Sequence, residues 1–263
     1  VPSFLLSGKM RLEINLGLTN GQIMIKFYAA LALAGSGSMR VRLLDRRKTM
    51  TKQKFLSAIM VGGYISLGAM TYLMIPNTMV ASLFFATGIF LVFNFNNMLF
   101  TRVCPLTAAT GEYKPIDWLC AWVGNAVGAF LVASIAHFSR FEGKIAERLQ
   151  SVGQMKLDDS FISLVIMGFF CAVLVSYAVL IGKKFKAGSF PQIFFVWLFI
   201  TAFVFCGFDH VVANMYYISA YSLAFGVQPL KIILSLAAVT IGNIIGGLLI
   251  GTIEKKHIPD QPL

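Results

Sequence analysis

Two ionisable residues stand side by side in an otherwise apolar stretch of this chain, in the run Cys206-Gly207-Phe208-Asp209-His210. An imidazole with an unperturbed pKa of about 6.5 exchanges a proton near neutrality, or donates and accepts hydrogen bonds without charging. Asp209 also has a structural reading, as a capping carboxylate that accepts orphan backbone N–H groups where a helix breaks, with Gly207 supplying the bend. A second polar cluster, Asn94-Phe-Asn-Asn-Met-Leu-Phe-Thr101-Arg102, ends at Pro105 and offers amides and a hydroxyl. Metal chemistry is not expected. Cys104, Cys120, Cys171 and Cys206 fall at no ligand spacing, and neither His-Glu-x-x-His nor Cys-x-x-Cys occurs. With no Ser-His-Asp order either, neither an enzyme nor a cofactor is expected.

The elements that must hold these residues are legible from where charge is missing. Asp, Glu, Lys and Arg are absent from 55–101, 118–139, 161–182, 188–208, 210–230 and 232–253. Most of these stretches reach the roughly 20 residues with which a helix crosses a bilayer core of about 30 Å. The chain has 57% apolar and 13% charged residues, against about 25% charged in a soluble domain. It reads as an all-α membrane protein with six spans, near 55–75, 79–101, 118–138, 161–182, 190–222 and 231–252.

The formal charge of +11 does not mark a nucleic-acid binder, because the basic residues alternate by side. Arg40, Arg42, Arg46, Arg47, Lys48, Lys52, Lys54, Arg102, Lys114, Lys183, Lys184, Lys186, Lys255 and Lys256 flank one face; Arg140, Lys144, Arg148, Lys156 and Lys231 flank the other. The positive-inside rule puts the richer face, with both ends of the spanning region, in the cytoplasm of a plasma (bacterial inner) membrane. The expected division is a leader or fusion-derived segment over 1–38, a basic cytoplasmic segment over 39–54, a spanning domain over 55–253 and a cytoplasmic tail over 254–263. An amphipathic surface helix is the alternative for 1–38.

Internal similarity links the halves. Phe55-Leu-Ser-Ala-Ile-Met-Val-Gly62 matches Phe161-Ile-Ser-Leu-Val-Ile-Met-Gly168, and Gly124-Asn-Ala-Val-Gly128 matches Gly242-Asn-Ile-Ile-Gly246. Three spans per repeat is an odd number, so the halves run in opposite senses, and such folds place their site near the midplane at broken helices. The Asn cluster and the Gly-Phe-Asp-His run each sit in the middle span of a half. Broken backbone at that depth survives only where it lines a protein-buried or watery cavity. The glycines also permit close helix packing.

Leu99-Phe100-Thr101, Gly207-Phe208-Asp209-His210 with Ala213-Asn214-Met215, Thr240–Gly247 and Asp117–Leu131 resemble the formate/nitrite transporter family over roughly residues 49–252. The resemblance implies an aquaporin-like fold of two inverted three-helix repeats with broken second and fifth helices, without the Asn-Pro-Ala motifs, assembled as a homopentamer with one pore per protomer. It implies that Thr101 lies on the loop interrupting the second helix and that His210 is the central pore histidine, with Asn214 among the pore side chains. Ile89, Phe100 and Val175 would form one constriction and Phe85 with Phe203 the other. Lys156 would sit at the outer vestibule. Ala172, Arg102 and Asp209 depart from the family pattern.

A small monovalent anion or its conjugate acid is the implied solute: formate, nitrite, hydrosulfide, lactate or acetate. Moving a bare carboxylate into a low dielectric costs of order 20 kcal/mol ideally and several after relaxation. A lysine about 4 Å away returns about 4 kcal/mol. Protonating the carboxylate at pH 7 costs about 4 kcal/mol, from a pKa near 3.9, so the acid form is a competitive crossing species. A water- or glycerol-like channel and, further off, an intramembrane enzyme are the alternatives.

Overall fold

The computed structural model describes residues 52–186 and 188–257. The segment 1–38, most of the basic stretch 39–54 and the end of the tail lie outside them. Within them the chain is all-helical, in nine α-helices and a final 3-10 turn.

Among the described residues four helices are long and apolar enough to cross a membrane: α1 (Lys52–Met74), α4 (Pro115–His137), α6 (Phe161–Lys184) and α9 (Pro229–Ile253), the last continuing through the turn Glu254–His257. The segments expected as the second and fifth spans, near 79–101 and 190–222, are each two helices: α2 (Thr78–Asn94) with α3 (Phe100–Thr110), and α7 (Phe190–Phe205) with α8 (Val211–Phe225).

Local chemistry sets the ends. Asn77 accepts from the Val80 N–H to start α2, and Ser160 from the Ser163 N–H to start α6. Asp117 accepts from the Lys114 N–H at 2.9 Å and from Lys54 Nζ at 2.7 Å, fixing the start of α4 against α1. Large apolar side chains such as Ile135, Ile162 and Phe190, each more than 70% exposed, face outward.

One element went unread in the sequence: α5 (Phe141–Asp158), in what looks like a charged connection. Its buried residues Ile145, Leu149, Gly153 and Leu157 recur every fourth position, one stripe of an amphipathic helix. α5 packs on α8, α6 on α9, α4 on α8, and α2 on α7. Close approaches go through glycine: a Cβ on Gly128 would collide with the Ile59 carbonyl, and one on Gly242 with the Val165 carbonyl.

Candidate functional site: two helix breaks joined by Thr101 and His210

The breaks at 95–99 and 206–210 are built alike. At the first, the Phe95, Asn96 and Asn97 N–H groups donate to Leu91, Phe93 and Val92; at the second, Cys206, Gly207 and Phe208 donate to Ala202, Val204 and Phe203. Every donor and acceptor is displaced by 111 positions. The turning residues correspond as well: Asn96 at φ 51° and Gly207 at φ 74°. A left-handed residue ends a helix in this way, and Gly or Asn adopts that backbone most readily.

A buried asparagine clasps each break. Asn125 on α4 accepts from the Phe100 N–H at 2.9 Å and donates to the Ala58 and Met98 carbonyls at 2.8 and 3.1 Å. Asn243 on α9 accepts from the Val211 N–H at 3.0 Å and donates to the Gly168 and Asp209 carbonyls at 2.7 and 3.0 Å. These are the asparagines of the two Gly-Asn repeats. Composition marked them as repeat signatures; only the fold reveals that each satisfies three backbone groups left open by a break. The bonds also correct the repeat register: Ala58 corresponds to Gly168, so the Phe55–Gly62 and Phe161–Gly168 match is displaced by one turn.

Thr101 and His210 meet, with Thr101 Oγ1 and His210 Nε2 2.8 Å apart and both residues 1% exposed. Thr101 sits in the first turn of α3, not on the interrupting loop, because the clasp by Asn125 lets the helix resume at Phe100. His210 is the N-cap of α8, and its Nδ1 accepts from the Ala213 N–H at 3.2 Å. That bond leaves Nδ1 unprotonated. The ring proton is therefore on Nε2, which donates to Thr101, and the threonine hydroxyl proton stays available for another acceptor.

The capping role expected of Asp209 belongs to His210 and Asn243. Asp209 Oδ1 instead accepts from Lys156 Nζ at 2.5 Å and from Asn214 Nδ2 at 2.8 Å. Lys156, in the last turn of α5, is nearly buried, with 12% of its side chain exposed, and lies 5.9 Å from the Tyr217 ring centre. It is thus a paired lysine rather than a free charge, and Asn214 belongs to this cluster rather than to the Thr101–His210 pair. Asn214 Oδ1 is buried with no partner among the described residues.

Apolar rings adjoin the pair. Phe203 stacks on the His210 imidazole with centres 5.8 Å apart, and Phe85 meets Phe203 edge to face at 5.9 Å. Ile89, Phe100 and Val175 are buried in the same core. Arg102 is buried and donates to the Asn97 carbonyl at 3.1 Å and to the Asn96 side-chain oxygen. No cluster of His, Cys, Asp and Glu that could hold a metal occurs among the described residues.

The profile of the family described as "Formate/nitrite transporter" matches residues 37–254. The chain belongs to that family. Members of the family are transporters and channels, not enzymes, and this chain is such a membrane protein. It is 26% identical over 245 residues to the formate channel FocA of Haemophilus influenzae, spanning 76% of this chain and 85% of FocA. It is 33% identical over 133 residues to the formate channel BtFdhC of Bacillus thuringiensis, an alignment covering about half of each protein. Among solved structures it resembles a pentameric formate channel with formate bound, at TM-score 0.70 and 22% identity over 80% of this chain and 98% of that one. An ion channel of the same family matches at TM-score 0.70 and 20% identity over 88% and 99%.

Proposed function

We propose that this chain passes small monovalent anions, or their conjugate acids, through a pore within each protomer of a homopentamer, with formate and nitrite the first solutes to test. In this reading α1, α2–α3, α4, α6, α7–α8 and α9 make six spans in two inverted halves of an aquaporin-like fold, in a plasma membrane. The matched hydrogen bonding of the two breaks supports the repeat, and the pentameric relative supports the assembly. Both ends of the spanning region are cytoplasmic and α5 is external, on the strength of the basic-residue asymmetry. Reagents that do not cross the membrane should then label Ser151→Cys in intact cells; labelling only after permeabilisation would reverse the orientation.

The observation that carries the reading is the Thr101–His210 hydrogen bond beside Phe203 and Phe85. A solute leaving water between the two apolar constrictions meets one donor–acceptor pair. His210 offers Nε2–H and Thr101 offers a hydroxyl that accepts and donates. Protonating His210 on Nδ1 would break its bond to the Ala213 N–H and uncap α8. His210 therefore acts as a neutral hydrogen-bond donor, and a solute that crosses as the acid brings its proton from water. Lys156, Asp209 and Asn214 hold the second break and present a mutually neutralised cluster. Uptake into liposomes with a panel of formate, nitrite, hydrosulfide, lactate, acetate and glycerol tests this. Uptake of glycerol alone would overturn it.

A further inference from the structure

The charges at the two breaks do not balance in the same way. At the second break Lys156 faces Asp209, and the pair sums to zero. At the first, the positions equivalent to Asp209 and Asn214 are Met98 and Val103, which carry no charge. Arg102 is there instead, 6% exposed, with a guanidinium that among the described residues bonds only to neutral oxygens of Asn96 and Asn97. Two of its five N–H groups are engaged there, and no carboxylate lies within 4 Å among the described residues. The acid that feels its field, Glu112, is already bound to Lys183 at 2.6 Å. A guanidinium does not deprotonate in proteins, so a full positive charge remains in a poorly screened place next to Thr101 in the chain.

We propose that Arg102 is a specificity-determining residue: its uncompensated charge draws a small monovalent oxyanion to the first break and on to Thr101, so that the anion-attracting charge lies there rather than at Lys156. The proposal rests on the pore reading. A planar carboxylate or nitrite suits the remaining fork of guanidinium N–H groups. The competing role is positional, since the same guanidinium ties Asn96 and Asn97 together.

Formate uptake into liposomes, measured from dilute to saturating formate, separates the two for wild type, Arg102→Gln and Arg102→Lys. Arg102→Gln should raise the half-saturating formate concentration about tenfold, or about 1.4 kcal/mol, and leave the saturating rate within about twofold. Arg102→Lys, which keeps the charge and loses the fork, should restore most of the affinity. Formamide, neutral and of similar size, should pass Arg102→Gln and wild type alike. If Arg102→Gln does not assemble, Arg102→Ser removes the same charge. A wild-type half-saturation in the neutral variant, or equal impairment of Arg102→Gln and Arg102→Lys, overturns the proposal. Wild-type liposomes that take up neither formate nor nitrite overturn the pore reading itself.

Discussion

The two helix breaks share a backbone and differ in what secures it. Each turns through a left-handed residue, and each is clasped by a buried asparagine that reaches three backbone groups. Around that common frame the second break is braced by a buried ion pair, Lys156–Asp209, and the first by an arginine bonded to neutral oxygens. Backbone that leaves a helix at membrane depth must satisfy its own polar groups, which leaves little freedom. Side chains around it are freer to diverge, and that divergence gives the two breaks different charge.

The largest expected effect is at the second break. Lys156→Ala leaves a buried Asp209 unpaired and should lower the stability of the purified protein by about 3–5 kcal/mol, read as a drop in Tm. Adding Asp209→Asn should recover most of the loss. A Lys156→Ala protein as stable as wild type would show that the pair is not a brace. Next come the asparagines: Asn125→Ala and Asn243→Ala each leave buried backbone polar groups short of a partner, a loss of about 1–3 kcal/mol. The two losses should be similar; a clearly unequal pair would break the equivalence of the two clasps.

A smaller effect tests the turning residues. A Cβ on Gly207 meets nothing within 4 Å, so Gly207→Ala should cost only the left-handed backbone, about 1–2 kcal/mol. Asn96→Gly eases the backbone but removes an acceptor of the buried Arg102 guanidinium, and should destabilise by about 1 kcal/mol.

The smallest effect concerns the turn beyond each broken span. Burial pushes the Glu112 carboxyl up, but its hydrogen bond to Lys183 and that charge outweigh it, and its pKa is lowered. The hydrogen bond from Lys231 likewise lowers Asp158. Both carboxyls titrate lower folded than unfolded, so their stabilisation is present above the unfolded values, near 4.3 and 3.9, and fades as pH falls through the folded ones. Glu112→Gln and Asp158→Asn should each flatten the loss of Tm on acidification below about pH 4.5; an unchanged slope would contradict the pairing.

Much of this was legible in the residues. Missing charge located the long apolar helices, and the Asn cluster and Gly-Phe-Asp-His run located both breaks, because such residues are poor material for an unbroken helix. Three features were not. α5 carries its apolar residues at every fourth position among charges, and a gap in charge is the wrong signal for it. The repeat register slipped by four because a one-turn shift of an apolar helix presents nearly the same face. The partner of Asp209 lies 53 positions away on another helix, and no local pattern announces a long-range ion pair; the capping reading was the local answer to a tertiary question.

The central claim is that the solute passes the Thr101–His210 bridge. It is tested most directly by formate and nitrite uptake into liposomes holding wild type, His210→Phe or His210→Asn, with the oligomer checked for assembly. His210→Phe removes the Nε2–H donor and one helix cap, the latter worth about 1 kcal/mol, so the oligomer should assemble while uptake falls by about two orders of magnitude. His210→Asn keeps a neutral donor and a capping oxygen, and should retain measurable uptake with an unchanged dependence on pH. Wild-type uptake by an intact His210→Phe oligomer would contradict the account and leave His210 as the cap of α8 alone.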